Sequence, residues 1–258
     1  MRLHVASAGH AKAPPLLLVH GWPQNWWAWR ELIPQLAVNH RVIVPDLPGF
    51  GWSEGLPGAY EKETLASQLL ALLDALSLER VTWIGHDWGG WLGFLAALRA
   101  PERLERMLAI TIPHFWAPPT ARQAVAALGY QVPISLPVVG PRLADPMVRR
   151  LLQVGRGRNP LAAEDVDRFA DHIPPDVTVS MYRTFLTREL APIRGGRYSS
   201  QTLEVPTTVM LGAEDLITHG TPAGPVRGQP QLHVEILEGV AHWIPEQRPD
   251  AVIRWVAG

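Results

Sequence analysis

One aspartate, Asp87, lies where a reactive side chain is expected. It is the centre of the frame Gly85-His86-Asp87-Trp88-Gly89, which follows an apolar segment and precedes a helical one. In a strand–turn–helix of this kind, small residues let the two backbones approach, and the central side chain projects from a tight, strained turn. Serine is the usual occupant, and its hydroxyl needs a base to become nucleophilic. The frame therefore predicts a nucleophile at Asp87.

An aspartate at this position implies a different substrate from a serine. With a reference pKa of about 3.9, its carboxylate is already an anion at neutral pH. A carboxylate attacks esters and amides poorly, because the mixed anhydride that forms lies uphill. It can attack a saturated carbon that bears a strained or good leaving group. The expected substrate is an epoxide or an alkyl halide.

Two further candidate residues occur in the chain order of this elbow architecture, which is nucleophile, acid and histidine. Asp215 and His242 each follow an apolar, strand-like run. His242 is predicted to deprotonate the water that hydrolyses the ester formed on Asp87. Asp215 is predicted to hold the imidazole tautomer and to stabilise the imidazolium, with Glu214 as the alternative.

Ester hydrolysis passes through an oxyanion, which needs backbone N–H donors. Trp88, directly after the nucleophile, is one predicted donor. The other is predicted in the loop His20-Gly21-Trp22-Pro23, where the backbone N–H of Trp22 is the candidate. Proline after Trp22 fixes the next φ. These two amides form the predicted oxyanion hole.

Alternating strand-like and helical segments predict the scaffold that positions these residues. Near-continuous apolar strands indicate a mostly parallel central sheet with helices on both faces, an α/β fold. The strands are predicted at 16–20, 41–46, 81–84, 108–112, 207–211 and 233–237, and the helices at 26–37, 61–76, 88–99 and 249–256. Residues 114–205 are Pro-rich and mostly helical. They are predicted to form a lid (cap) inserted in a core domain of residues 1–113 and 206–258, over the strand ends where ligands bind.

Composition narrows the class of protein. The 258 residues carry a net charge of −1, so no global field is expected to recruit nucleic acid or a membrane. The absence of cysteine excludes disulfides and thiol catalysis and fits a cytoplasmic protein. No signal peptide and no membrane-spanning run is found in the sequence. No spacing of metal ligands is found either, so neither a metal nor a cofactor is expected. A basic cluster in the lid is interpreted as a solvated helix face: Arg149, Arg150, Arg156 and Arg158.

Four segments together resemble the α/β-hydrolase-fold epoxide hydrolases, and the resemblance covers nearly the whole chain apart from parts of the lid. They are His20-Gly21-Trp22-Pro23-Gln24, Asp46-Leu47-Pro48-Gly49-Phe50-Gly51, Gly85-His86-Asp87-Trp88-Gly89-Gly90 and Gly239-Val240-Ala241-His242. The resemblance implies an α/β-hydrolase fold and an enzyme that converts an epoxide and water into a vicinal diol. The many tryptophans near the site favour a small apolar epoxide, and a monomer or homodimer is expected. It also implies a cis peptide between Trp22 and Pro23.

The leaving group separates epoxide hydrolases from their dehalogenase relatives. Opening an epoxide produces an alkoxide, which needs a proton donor, and tyrosine is a suitable one. Tyr130 and Tyr182 fall within the lid, in settings that resemble the two lid tyrosines that polarise the epoxide oxygen in the family. Tyr60 and Tyr198 are expected to be surface or packing residues.

A haloalkane or haloacetate dehalogenase and a non-enzymatic ligand-binding protein of the same fold are the alternatives. Trp88 fits a halide-binding residue, but the dehalogenases often have an asparagine where this chain has Trp22. Haloacetate dehalogenases commonly have an arginine at the position of Trp88. A pure binder needs neither a nucleophile nor a water-activating pair. Residues 216–231 depart from the family pattern, because they are rich in Gly and Pro where a helix is usual.

Overall fold

The computed structural model describes residues 1–117, 119–154 and 161–258. Within these residues, eight strands form one sheet in the order β1-β3-β2-β4-β5-β6-β8-β7. The strands are β1 (Val5–Ala8), β2 (Pro15–Val19), β3 (Arg41–Pro45), β4 (Val81–His86), β5 (Leu104–Ile110), β6 (Thr207–Gly212), β7 (Gly224–Val226) and β8 (Gln229–Leu237). All neighbours from β3 to β8 are parallel, and β1 and β7 pair antiparallel at the two edges. The predicted α/β-hydrolase fold class is confirmed.

The helices are α1 (Ile33–Leu36), α2 (Lys62–Ala75), α3 (Trp88–Arg99), α4 (Ala121–Ile134), α5 (Gly140–Val154), α6 (Ala163–Ala170), α7 (Pro175–Thr184), α8 (Leu190–Arg194), α9 (Ile244–Gln247) and α10 (Pro249–Ala257). Helices α4 to α8 lie between β5 and β6 in the chain. A π-helical segment, Phe185–Glu189, joins α7 to α8. In the basic cluster predicted from the sequence, Arg149 pairs with three aspartates, Asp145, Asp167 and Asp171. Arg156 and Arg158 lie outside the described residues.

The central strands are buried because helices cover a parallel sheet. Every residue of β4 is buried, and Leu17 and Leu18 of β2 have no exposed surface. Burying one such leucine contributes about 1.5–3 kcal/mol relative to leaving it in water. These strands therefore form a rigid base for the loops at their carboxyl ends.

The direction of strand addition reverses between β2 and β4. The chain passes from β2 to β3 on one side and then returns to add β4, β5, β6 and β8 on the other. A crevice opens at the carboxyl ends of strands where the order reverses in this way, and ligands bind there in open α/β sheets. The loop with Trp22 follows β2, and Asp87 follows β4, so both lie at this crevice.

Two segments differ from the predicted elements. The single helix predicted at 26–37 is a 3₁₀ turn, Trp26–Trp29, followed by the short α1. Pro34 has no N–H to bond backwards, so it is accommodated in the first turn of a new helix that begins at Ile33. The Gly- and Pro-rich segment 216–231 contains β7, a three-residue edge strand in which Pro225 is tolerated.

Candidate active site

Asp87 stands in a strained turn between β4 and α3. Its backbone has φ 50° and ψ −123°, a conformation that L-residues rarely adopt. A Cβ at Gly85 would collide with the backbone of Gly89 and Gly90, and a Cβ at Gly89 would collide with the carbonyl of Val19. The glycines of the frame are thus required for strand and helix to approach, as the sequence predicts.

Both predicted oxyanion donors point at Asp87. The backbone N–H of Trp22 donates to Asp87 Oδ2 at 2.9 Å, and the backbone N–H of Trp88 also bonds the carboxylate. A Cβ at Gly21 would meet this carboxylate and the Trp88 nitrogen, so glycine is required before Trp22. The Trp22–Pro23 peptide is cis, as the resemblance implies.

The carboxylate of Asp87 is poorly solvated. Its exposed fraction is 9%. Burial raises its pKa from an ordinary value of 3.8 to about 6, while His242 and the two backbone N–H groups act to lower the pKa. The residue is therefore an anion at neutral pH, but one stabilised by a few directed donors rather than by bulk water. The amino-terminal end of α3 adds a favourable dipole.

His242 and Asp215 are paired at the neighbouring strand ends. His242 Nδ1 lies 3.1 Å from Asp215 Oδ2. Asp215 is itself fixed by the backbone N–H of Ile217 at 3.0 Å and by the hydroxyl of Thr218 at 2.9 Å. Glu214 is exposed. The structure therefore brings Asp215, and not Glu214, to the imidazole.

The charge on His242 depends on its two carboxylate neighbours. Burial lowers its pKa, but the charge of Asp215, the hydrogen bond to it and the charge of Asp87 together raise the pKa above the ordinary value. Because Nδ1 is engaged by Asp215, Nε2 is the nitrogen that can take a proton from water. The geometry suits a general base held in one tautomer.

Tyr130 of α4 and Tyr182 of α7 meet above this centre. Their ring centroids are 5.6 Å apart at 85°, and their hydroxyls hydrogen-bond each other. Trp22 stacks on Tyr130 at 5.7 Å and meets Tyr182 edge-on at 5.1 Å. The two predicted tyrosines are thus brought together beside a loop that also touches Asp87.

Both phenols are held in the protonated form. Burial, and next the charge of Asp87, raise the pKa of Tyr130 to about 12. Burial also raises the pKa of Tyr182 well above its ordinary value, with the neighbouring Tyr130 and Asp87 acting in the same direction. Each side chain is therefore a neutral phenol rather than a tyrosinate at neutral pH.

The other two tyrosines lie elsewhere, as expected. Tyr60 is buried, and its hydroxyl accepts from the backbone N–H of Leu56 at 3.1 Å. Tyr198 donates to Glu63 at 2.8 Å. Both side chains pack in the protein and do not join the cluster around Asp87.

The remaining walls are aromatic. The ring of Trp88 lies 5.0 Å from that of Phe185 and 6.1 Å from that of Tyr182. The indole N–H of Trp22 donates to Thr178 at 3.0 Å. The indole of Trp88 interacts with the Tyr182 hydroxyl and opposes the rise in pKa of that phenol, but its N–H makes no regular hydrogen bond among the described residues. The surroundings thus suit an uncharged, apolar molecule.

Sequence reasoning missed several supporting residues. Besides Thr178 and Thr218, His86 donates from Nε2 to the carbonyl of His242 at 3.0 Å. Burial lowers the pKa of His86 well below its usual range, so the ring is neutral. The sequence contained a signal for Thr218, because it is a hydroxyl residue three positions after Asp215. The contacts of Thr178 with Trp22 and of His86 with His242 join distant parts of the chain.

Neither a metal site nor a membrane span is found in the part of the chain that the structure describes. Its His, Asp and Glu side chains form no group of three or more that could hold a metal ion. Its helices include none that is long and apolar enough to cross a membrane.

Comparison with known proteins gives the family. A family model described as alpha/beta hydrolase fold matches residues 14–249, so the chain belongs to that family. AB hydrolase superfamily protein YfhM of Bacillus subtilis is 29% identical in an alignment that covers 97% of this chain and 91% of that protein. Epoxide hydrolase A of Mycobacterium tuberculosis is 28% identical, with 98% and 92% covered. A solved structure, epoxide hydrolase CorEH, matches with a TM-score of 0.81 at 26% identity over 98% of this chain and 93% of that one.

These similarities extend over almost the full length of each partner. The chain is therefore a hydrolase enzyme of the α/β-hydrolase fold that resembles the epoxide hydrolases.

Proposed function

We propose that the chain is an epoxide hydrolase that forms a covalent alkyl ester on Asp87 and releases a vicinal diol. The observation that carries this proposal is the meeting of two protonated tyrosines, Tyr130 and Tyr182, beside a buried carboxylate. An epoxide needs both groups at once, because a nucleophile must attack carbon while an acid protonates the departing oxygen. The similarity to proteins named epoxide hydrolases supports the same reaction.

In the first step a carboxylate oxygen of Asp87 attacks one epoxide carbon. The bond between that carbon and the ring oxygen breaks, and its electron pair stays on the oxygen. Tyr182 or Tyr130 donates its hydroxyl proton there, which leaves a hydroxyalkyl ester on Asp87 and one tyrosinate.

The electrostatics favour this transfer. Part of the elevation of both tyrosine pKa values comes from the negative charge of Asp87. That charge disappears when the neutral ester forms, so the phenols become better acids as the reaction advances.

In the second step water attacks the carbonyl carbon of the ester. His242 takes one proton of the water, and the backbone N–H groups of Trp22 and Trp88 stabilise the oxyanion. The intermediate then expels the diol oxygen, which recovers the proton from His242. The second water proton, left on the Asp87 carboxyl group, returns to the tyrosinate, so each turnover consumes one epoxide and one water.

The loss of charge on Asp87 also prepares the base. Asp87 contributes to the elevated pKa of His242, and ester formation removes that contribution. A larger fraction of His242 is then neutral when it must accept a proton, while Asp215 continues to orient its ring.

Residues 114–205 are proposed to act as a cap over a core of residues 1–113 and 206–258. Both tyrosines come from this segment, whereas the nucleophile, the acid and the base come from strand ends of the core. The cap would thus supply the proton donors and close the apolar site around a small, uncharged epoxide.

A dehalogenase is the second candidate, and one observation favours it. The indole N–H of Trp88, which makes no regular hydrogen bond among the described residues, could hold a halide if it turned from the Tyr182 hydroxyl. A halide is commonly held by two such donors, and the indole N–H of Trp22 is already given to Thr178. Two tyrosines raised in pKa by an apolar setting are also unnecessary for a leaving group that needs no proton.

Product analysis separates these reactions. The purified protein is offered styrene oxide, a small aliphatic epoxide and a 1-haloalkane, with Asp87→Ala as the inactive control and Asp176→Asn as a control for an exposed carboxylate. We expect diol from at least one epoxide, lost in Asp87→Ala and retained in Asp176→Asn. Halide release without diol would overturn the proposal in favour of a dehalogenase.

A further inference from the structure

Lys62, at the start of α2, is a buried lysine that the chemistry above does not use. Its side chain is 1% exposed, and Nζ donates to three oxygens. These are the carbonyls of Tyr60 at 3.1 Å and Met181 at 3.4 Å and the carboxylate of Glu189 at 3.2 Å. A buried ammonium is costly unless it is paired and hydrogen-bonded, and here every N–H has a partner.

One backbone contact and one ring contact join Lys62 to the candidate site. Met181 immediately precedes Tyr182, so the ammonium holds the backbone next to a proposed proton donor. Nζ also lies 4.5 Å from the ring centroid of Trp88 and 5.5 Å from that of Phe185. A cation over an aromatic face is attracted to it, most strongly where water is excluded. One charge thus contacts both the wall beside Asp87 and the helix that carries Tyr182.

Glu189 completes the link between α2 and the inserted helices. Its Oε1 accepts from the backbone N–H of Lys62 at 2.7 Å, and its Oε2 accepts from Nζ. It is the last residue of the π-helical segment that follows α7. Such segments interrupt α-helices and are frequent at functional sites. Here the π-helical segment ends at Glu189, whose side chain bonds to Lys62 of α2.

Stability alone gives a weak reason for this pair. Replacing a buried ion pair by apolar residues of similar volume is often neutral or stabilising, whereas breaking it by removing one partner is strongly destabilising. A fixed orientation of the contacted groups is a better explanation. A second ion pair between core and inserted helices, Arg30 with Asp165 at 2.9 Å, provides a comparison because it contacts neither Tyr182 nor Trp88.

We propose that Lys62 and Glu189 are a positioning pair that holds α7 and the ring of Trp88 so that the Tyr182 hydroxyl is aligned with the epoxide oxygen while Asp87 attacks. This inference rests on the proposed function, since it concerns alignment for that reaction. It assigns the pair to the alkylation step. Hydrolysis of the ester uses His242, Asp215 and the backbone N–H groups of Trp22 and Trp88. The pair contacts the ring of Trp88 but none of these groups.

The test variant is Lys62→Met/Glu189→Gln. It removes both charges together, retains the unbranched shape of the lysine stem and keeps an acceptor for the backbone N–H. The single variant Lys62→Met would leave a buried carboxylate unpaired and is prone to unfold. Asp165→Asn is the matched control, because it breaks an ion pair between core and inserted helices that contacts neither Tyr182 nor Trp88.

Single-turnover kinetics with an epoxide give the rates of ester formation and ester hydrolysis separately. In the double variant we expect alkylation to fall about 10-fold or more, because a displacement of about 1 Å is enough for such losses. Hydrolysis should change by less than about 3-fold, and Asp165→Asn should alkylate within about 2-fold of the wild type. Equal loss in both steps, equal loss in Asp165→Asn, or unchanged alkylation would overturn the proposal.

Amide hydrogen exchange separates this inference from the proposed function. If the wild type makes no diol and His242→Gln shows no adduct, the proposed function fails. The positioning role is then decided by peptides covering residues 175–189 in the double variant. Faster exchange there, with α10 unchanged, would support the pair as the element that orders this segment. Unchanged exchange would overturn it.

Discussion

The Asp87→Asn variant tests whether the nucleophile is held at a cost to stability. Burial raises the pKa of Asp87 from 3.8 to about 6. A carboxyl group whose folded-state pKa exceeds its unfolded value stabilises the fold only while protonated. That contribution is complete below pH 3.8 and is lost as the pH rises through about 6. The shift of about two pKa units corresponds to about 3 kcal/mol.

Asparagine has nearly the same shape as aspartate and stays neutral at every pH, and its oxygen can still accept from the Trp22 N–H. We therefore expect the free energy of unfolding of Asp87→Asn to exceed that of the wild type by about 3 kcal/mol at pH 8. Any pH-independent effect of the substitution adds equally at every pH. About half of this gain should remain at pH 5, where the wild-type carboxyl group is mostly protonated in the folded state.

Equilibrium unfolding in urea between pH 5 and pH 8 measures this difference. Asp176→Asn removes an exposed carboxylate from α7 and should stay within about 0.5 kcal/mol of the wild type throughout. A gap between Asp87→Asn and the wild type that is the same at both ends of this range would refute the reasoning, because the gain must follow the titration of Asp87.

Three further predictions concern the reaction. Tyr182→Phe should slow alkylation about 10²-fold, because a proton donor is lost. Tyr198→Phe, which changes a buried tyrosine away from the site, should leave the alkylation rate unchanged. Stopped-flow single turnovers that show equal rates for the two variants would remove Tyr182 from the mechanism. His242→Gln should accumulate an adduct of protein and epoxide in intact-mass spectra, and repeated failure to observe it would count against the ester. The alkylation rate should fall about tenfold per pH unit below about 6, as Asp87 is protonated, and stay level on the alkaline side until tyrosine ionises. A rate that rises steadily towards acid pH is incompatible with this assignment.

Local patterns in the sequence predicted the elements that position the site. The strand before Asp87 is a near-continuous apolar run, and the glycines around Asp87 are required by the close approach of strand and helix. The same holds for the loop with Gly21 and Trp22. Each of these features depends on a few consecutive residues, which is why motif and periodicity were sufficient.

Apart from the bond of Thr218 to Asp215, the contacts that sequence reasoning missed join distant parts of the chain. Lys62 and Glu189 are 127 positions apart, and each looks like an ordinary charged helix residue until the fold brings them together. The helix predicted at 26–37 was wrong because apolar periodicity outweighed the break at Pro34. Tertiary contacts and the cost of a missing N–H decide such cases, and neither is encoded in a periodic pattern.

A single turnover in water labelled with heavy oxygen tests the covalent step most directly. With enzyme in excess over epoxide, attack of labelled water on the ester carbonyl places the label in the carboxylate of Asp87, and the diol leaves with an ordinary oxygen from that residue. The account predicts one labelled oxygen in the peptide that contains Asp87 and none in the first diol released. Label in the diol, with Asp87 unlabelled, would mean that water attacks the epoxide directly and would contradict the account.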